Sequence, residues 1–305
     1  MYDTIIIGSG LAGLTASIYA SRYRLSNVIL GKLPGGTITL AHKVENFPGF
    51  AGISGIELAQ KVIKQAKALG AEILPEQVSR VEISGNSFLV LTESEKKFQA
   101  KTLIATTGTE RRKLGVAGEK EYLGKGVSYC TQCDAAFFKG KTVGLVGGSD
   151  AAVAGALHTA DFAQRVYIIY RREKLRAEPL LVKKALAHPK IEVVYNSNVT
   201  EILGDGNKVT GVGLDQAYKN SEELAVDGLF IEIGGVPVTN YLVPLKVELD
   251  EDGYVKVNPQ METNVAGVFA AGDLTTQSRI LQQAITAAAQ GAMAASSAFR
   301  YLKKR

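Results

Sequence analysis

Unbroken apolar runs that stop at glycine alternate along this chain with helical spacings, and that rhythm occurs twice. The first run is Thr4-Ile5-Ile6-Ile7, followed at once by Gly8-Ser9-Gly10-Leu11-Ala12-Gly13. A short β-branched stretch bounded by glycine predicts a buried strand, Tyr2 to Gly8. A helix is expected over Leu14 to Tyr23 and a second strand over Asn27 to Leu30. Leu58, Val62, Ala66 and Leu69 then recur at helical spacing, predicting a helix from Ser54 to Leu69. Its start carries the Ser54 and Glu57 pair of a capping box. Beyond it the pattern alternates: Val78 to Ile83, Phe88 to Thr92 and Phe98 to Ala100 read as a meander. Thr102 to Thr106 closes this part as a strand, before the turn Thr107-Gly108-Thr109.

The same order begins again at Lys141. Thr142 to Val146 predicts a strand. Gly147-Gly148-Ser149-Asp150-Ala151-Ala152 forms a turn entering a helix that runs to about Phe162, and Val166 to Tyr170 is the next strand. Ile191 to Val194, Val199 to Leu203 and Val209 to Gly213 read as a second meander, closed by Leu229 to Ile233. After Pro237, strands are expected at Val247 to Leu249 and Tyr254 to Val257. A buried strand ends in Gly272-Asp273, and an alanine-rich helix runs from Ile280 to Tyr301. This last stretch has no glycine turn of its own and so completes the first copy. The expected fold class is α/β, with two Rossmann-like, three-layer ββα dinucleotide-binding domains, the second inserted into the first. Residues 1–115 and 239–305 form one domain and residues 116–238 the other.

Composition narrows the function. The chain has 305 residues, 46% hydrophobic and 21% charged, which suits folded globular domains and excludes disorder. Its 32 glycines exceed the usual share of about 7%, as expected where backbone approaches ligands closely. The net charge of +5 is spread over short clusters such as Arg111-Arg112-Lys113, without aromatic platforms, so no nucleic-acid partner is expected. No apolar run approaches the roughly 20 residues of a membrane span, and a core strand stands where a signal peptide would. A cytoplasmic protein with no membrane association is expected. Its 2 cysteines make no disulfide framework, and in a reducing compartment a close pair reads as catalytic or metal-binding.

That pair is Cys130-Thr131-Gln132-Cys133, with Asp134 next to it. Two thiols at this spacing can close a small ring, and a cysteine at a helix N-terminus has a lowered pKa. Asp134 could pass a proton to a departing thiolate. A zinc site would need further ligands, and His42, His158 and His188 lack ligand spacing, so no metal is expected. The first glycine turn has the strand–turn–helix context that seats a pyrophosphate on a helix N-terminus. The second departs at Ser149, where the middle glycine belongs. Past it, Arg171, Arg172 and Arg176 occupy the place where an NAD enzyme puts a ribose-binding acid, which favours the 2′-phosphate of NADP. The first copy also lacks that acid, ending its second strand Leu30-Gly31-Lys32, and this leaves FAD open. Gly272-Asp273 can hold a ribitol hydroxyl, with Gln282, Gln283 and Ala284 near a helix N-terminus where the dipole favours an anionic flavin.

In order, these residues resemble the low-molecular-weight thioredoxin reductases over nearly the whole chain. Gly8, Gly10, Leu11, Ala12 and Gly13 are similar to that family's FAD turn. Gly35-Gly36-Thr37 and Glu45-Asn46-Phe47-Pro48-Gly49 resemble its flavin-side loop, and Thr107-Gly108 joins the same site. Gly126 through Asp134 resembles its redox centre. Gly147, Gly148, Ser149, Asp150 and Ala151, with the three arginines, resemble its NADPH site, and Gly272-Asp273 with Gln283-Ala284 its second FAD segment. The resemblance implies hydride transfer from NADPH to FAD, reduction of a Cys130–Cys133 disulfide, and thiol–disulfide exchange with thioredoxin or a thioredoxin-like protein. It further implies Cys133 beside the flavin, Asp134 as general acid, a rotation between the two domains, and a homodimer. The chain departs from the family in its Thr131-Gln132 spacer, and at Ala135, Thr37, Gln282 and Ser149. Two other readings stay open: the same reductase fed by another donor such as reduced ferredoxin, and a non-catalytic flavin-binding redox sensor.

Overall fold

The computed structural model describes residues 1–304. They form two compact units, one made of Met1–Glu110 with the chain from Val236 onward, the other of Arg111–Gly235.

In the first unit β1 (Tyr2–Ile7) and β2 (Asn27–Leu30) lie parallel, joined by α1 (Leu11–Arg22). The helix starts earlier than expected because Gly10 is already its N-cap, so the end of the glycine turn is its first turn. α2 (Gly55–Ala68) opens on the expected capping box, in which the Glu57 amide donates to Ser54 Oγ and Glu57 reaches back to Ser54. β3 (Glu72–Leu74), too short to show a period, extends the sheet beyond β2. β4 (Val78–Ser84) and β5 (Ser87–Thr92) pair antiparallel as expected. The two strands expected between Phe98 and Thr106 are one, β6 (Lys97–Ala105). Ala100 pairs with Phe88 of β5 on one side and with Tyr2 of β1 on the other, so the chain passes from meander to parallel sheet without a break.

Alternation along β1 builds the layers. Ile5 and Ile7 pack with Val81, Phe88 and Val90 of the meander, while Ile6 packs with Leu14, Ala294 and Ala298 on the helical side. Full burial of such a side chain stabilises the fold by about 2 kcal/mol. A charge at Ile6 would break the seam.

β7 (Thr109–Arg111) leads into the second unit. There follow β8 (Val127–Ser128), the single-turn α3 (Thr131–Asp134), β9 (Thr142–Val146), α4 (Asp150–Ala160), β10 (Arg165–Tyr170), α5 (Pro179–Leu186) and β11 (Ile191–Tyr195). β11 is not part of a meander. It pairs parallel with β10, because α5 supplies the crossover that parallel pairing needs. The meander is instead β12 (Val199–Gly204), β13 (Val209–Tyr218) and β14 (Ser221–Ala225), the last hidden in a polar stretch where only Leu224 is buried. β15 (Gly228–Ile231) completes a parallel sheet of order β11-β10-β9-β15-β8.

β16 (Gly235–Pro237) runs beside β7 as a two-stranded sheet and leads back to the first unit. The strands expected at Val247 to Leu249 and Tyr254 to Val257 reduce to single bridges, Leu249 with Val255 and Val255 with Thr275. Asp250 turns the chain between them by accepting from the Asp252 and Tyr254 amides. β17 (Val268–Ala270) pairs parallel with β6, and α6 (Ala284–Lys303) closes the chain. This helix starts later than expected. Thr276–Ile280 is a tight 3-10 turn whose Arg279 is held by Asp250 and Asp252. Among the described residues no helix is long and apolar enough to cross a membrane.

Candidate active site: two glycine turns and a cysteine pair

At the first turn each motif glycine meets a different requirement. Gly8 has φ of +116°, and a Cβ there would lie 2.3 Å from the Thr106 carbonyl oxygen. A Cβ on Gly13 would lie 1.9 Å from the Gly8 carbonyl oxygen, so glycine alone lets α1 sit this close to β1. A Cβ on Gly10 would meet nothing nearer than Gly36 Cα at 3.8 Å. The surface over Gly10 is thus open to a ligand, and the α1 amides behind it point the same way. Gly36 lies across from Gly10, anchored through the Gly35 amide on the Ser9 carbonyl at 2.8 Å.

A cavity of about 230 Å³ runs along this turn. Gly8 to Ala12, Gly31, Lys32, Gly36, Thr37, Thr107, Gly108 and Asp273 line it. Asp273 Oδ1 is buried without a hydrogen-bond partner, and burial pushes its carboxyl up to about 6. An orphaned acceptor beside an open glycine turn is what a hydroxyl-rich dinucleotide would satisfy. The residues therefore fit FAD.

The turn that presents Asp273 is held from α6, where Gln290 Oε1 accepts the Gly272 amide at 2.8 Å and the Thr275 hydroxyl at 3.3 Å. Further along the chain from Gly36, Asn46 donates to Gln283 Oε1 at 3.2 Å across 237 residues of sequence. Gln283 is the N-cap of α6 and Ala284 its first residue. Gln282 contacts the Tyr254 hydroxyl at 3.5 Å. The structure thus brings together the flavin-side residues expected from three distant segments.

At the second turn, Gly147 rests on the Glu232 carbonyl oxygen as Gly8 rests on Thr106. Gly148 is pressed against the Tyr170 ring, which a Cβ would approach to 2.5 Å. Ser149 is the N-cap of α4, and Asp150 Oδ1 accepts the Glu178 amide at 2.7 Å, tying down the loop that follows β10. That loop carries Arg171, Arg172 and Arg176, all exposed, and among the described residues none of the three is in an ion pair. The Arg176 amide is fixed to the Gly148 carbonyl at 2.9 Å, which brings the arginine loop to the turn. Three exposed guanidiniums beside a helix N-terminus suit a dinucleotide with an extra phosphate.

Cys130 and Cys133 are joined as a disulfide. Cys130 is the N-cap of α3, and its Sγ accepts the Cys133 amide at 3.1 Å. The Cys130 amide donates to Ser128 Oγ at 3.0 Å, and buried Thr131 packs against Gly155 of α4. Cys130 is half-buried, Cys133 exposed and Asp134 half-buried.

Some residues at this site escaped the sequence reading. Glu119 is buried and accepts from the Leu114 amide at 2.8 Å, the Gly115 amide at 2.6 Å and the Tyr129 hydroxyl. Burial works against its ionised form, but the bonds from Tyr129 and the two amides prevail and hold its carboxyl below the usual range. Glu232 is also buried, with its carboxylate on Arg111, and burial pushes it up to about 7 against the pull of that guanidinium. A lone glutamate in a glycine-punctuated loop gives no sequence signal. Gln290 gives a faint one, as a polar residue on the buried stripe of an alanine-rich helix.

Comparison with known proteins follows the same lines. Residues 2–291 match the family model of pyridine nucleotide-disulphide oxidoreductases. The chain is 42% identical to a thioredoxin reductase of Listeria innocua, covering 100% of this chain and 95% of that one. It is 41% identical to a thioredoxin reductase of Bacillus subtilis, with 100% and 96% covered. A crystal structure of Lactococcus lactis thioredoxin reductase superposes with a TM-score of 0.96 at 36% identity over 100% of both chains.

Proposed function

We propose, from the premise that this chain belongs to the thioredoxin reductases of the pyridine nucleotide-disulphide oxidoreductase family, a division of the reaction among its residues. The enzyme is an oxidoreductase that uses FAD and NADPH, and its dithiol reduces thioredoxin. One observation carries the reading: the C-x-x-C cysteines are joined as a disulfide with a carboxylate next in the chain.

The unit with Gly8 to Gly13 and Asp273 is the FAD-binding domain. The inserted unit is the NADPH-binding domain and carries the redox pair. In the first, the α1 amides behind Gly10 receive the FAD pyrophosphate and Asp273 takes a ribitol hydroxyl. Thr37, Asn46, Gln283 and Ala284 hold the flavin side. In the second, Arg171, Arg172 and Arg176 bind the 2′-phosphate of NADPH. Bound FAD would supply the two-electron chemistry that links NADPH oxidation to reduction of the disulfide.

The cysteines and Asp134 do the rest. The incoming electron pair breaks the Sγ–Sγ bond, and Asp134 delivers one proton to Cys133 Sγ. Cys130 is left as a thiolate, held by the Cys133 amide that already donates to its sulfur. That thiolate attacks the thioredoxin disulfide and forms a mixed disulfide, releasing a thioredoxin thiolate that takes a proton from solvent. Asp134 then takes back the Cys133 proton. Cys133 attacks the Cys130 sulfur, expels reduced thioredoxin and restores the Cys130–Cys133 bond. The enzyme acts as a cytoplasmic homodimer without nucleic-acid or membrane partners.

Cys133→Ser tests the assignment. Thioredoxin reduction should disappear while NADPH still bleaches the flavin band. A variant that kept reducing thioredoxin would sink it.

A further inference from the structure

We propose that Ser149 sets the enzyme's affinity for NADPH, by standing where the dinucleotide pyrophosphate approaches the second glycine turn most closely. The inference rests on the reading of this turn as the NADPH site.

Gly10 and Ser149 are the N-caps of α1 and α4, and their backbones adopt the same conformation. Gly10 has φ −75° and ψ −175°, and Ser149 has φ −89° and ψ 178°. Both turns therefore present the same array of helix amides to an anion. The difference is one side chain. Over Gly10 no protein atom comes within 3.8 Å of a would-be Cβ, so that space belongs to the ligand. Over Ser149 the equivalent space holds a hydroxymethyl group.

Nothing in the fold calls for that group. The Ser149 side chain makes no capping hydrogen bond, and its extended backbone suits any residue. The two glycines before it answer to protein packing instead. A Cβ on Gly147 would strike the Glu232 carbonyl, and one on Gly148 would strike Tyr170, so neither position tolerates a side chain. Ser149 is thus a setback of the pyrophosphate in an otherwise complete site, and the unpaired arginines at the far end supply the compensating attraction. Binding leans on the 2′-phosphate.

The test is calorimetric titration of the oxidised holoenzyme with NADP⁺, which binds without reacting, for the parent, Ser149→Gly and Ser149→Ala. Removing the side chain should tighten binding about tenfold, the scale for one methylene-sized obstruction at a fitted site. Ser149→Ala should stay close to the parent, because its Cβ remains. Equal affinities for the parent and Ser149→Gly would overturn the proposal. Weaker binding by Ser149→Gly would also overturn it and make the hydroxyl a ligand, and so would an absence of saturable binding in all three. The proposed function is judged separately, by whether the parent reduces thioredoxin at saturating NADPH. Its failure there leaves the order of the three affinities to decide Ser149.

Discussion

The first glycine turn seats its helix through Gly13, whose Cα faces the Gly8 carbonyl too closely for any Cβ. The second turn places Ala152 at the same motif position and buries it completely. Yet a Cβ on either Gly8 or Gly147 would lie 2.3 Å from a carbonyl oxygen, that of Thr106 in one and of Glu232 in the other. The first motif glycine is therefore demanded by the strand it turns from, and the last by how near the helix comes. The middle position is set by neither contact: the space over Gly10 is open and the Ser149 side chain makes no capping bond. Two carboxylates, one in each unit, also differ. In the second, Glu232 is neutralised by Arg111. In the first, Asp273 is left without a partner. A paired carboxylate serves the fold, and an orphaned one waits for something else.

The sharpest way to break this comparison is to exchange the last motif residue. Gly13→Ala should leave protein that retains no flavin. Its Cβ would have to push α1 off β1, at a cost of about 3 kcal/mol or more, on the scale of overpacking a core. Ala152→Gly in the second unit should keep the flavin and cost only about 1 kcal/mol, the helix-propensity difference. Flavin-to-protein ratio and thermal midpoint would read both, and similar losses in the two variants would dismiss the idea that helix distance sets this position.

Next in size is the arginine loop, which has no counterpart in the first unit, where β2 runs out into Gly31 and Lys32. Arg171→Ala with Arg172→Ala should weaken NADP⁺ binding about a hundredfold, the worth of two charge-assisted hydrogen bonds at an exposed site. NAD⁺ binding should barely change, so the preference for the phosphorylated form should collapse. A loss shared equally by both nucleotides would mean that the arginines only shape the loop.

The features easiest to read in the sequence are those whose chemistry is local. Both glycine turns, the Cys130 and Cys133 pair, the Ser54 cap and the three arginines each lie within a few residues. What escaped depends on distance along the chain or on elements too short to have a period. Asn46 meets Gln283, and Gln290 holds Gly272, only because α6 returns to the first unit after the insertion. β3 is three residues long and β14 is mostly polar, so neither shows a period. The run from Ile191 looked like a meander strand because alternation does not reveal a partner. The helix α5 that feeds β11 decides its parallel pairing. Val255 is apolar and fully buried, yet Asp250 turns the chain back too soon for a ladder to grow around it.

The smallest expected effect tests the contrast between the two buried acids. Asp273 is raised from 3.8 to about 6 by burial, so the folded flavin-free protein holds its proton more tightly than the unfolded chain does. Between those two values the native state binds more protons, so stability falls as pH rises. The carboxyl contributes fully below about pH 4, and its contribution is lost as pH passes 6. Asp273→Asn removes the ionisation but keeps the shape. Flavin-free Asp273→Asn should therefore be more stable than the parent at pH 8, by about 2 kcal/mol after discounting the shift for partial exposure. The two should converge near pH 4. Glu232 is pushed the same way, from 4.5 to about 7, but it is present in both proteins and cancels from the difference. The same substitution should weaken FAD binding, because an amide cannot accept at both oxygen positions. A variant that gained stability at pH 8 and kept full flavin affinity would show that Asp273 is buried for some reason other than the cofactor, and the contrast with the paired Glu232 would lose its meaning.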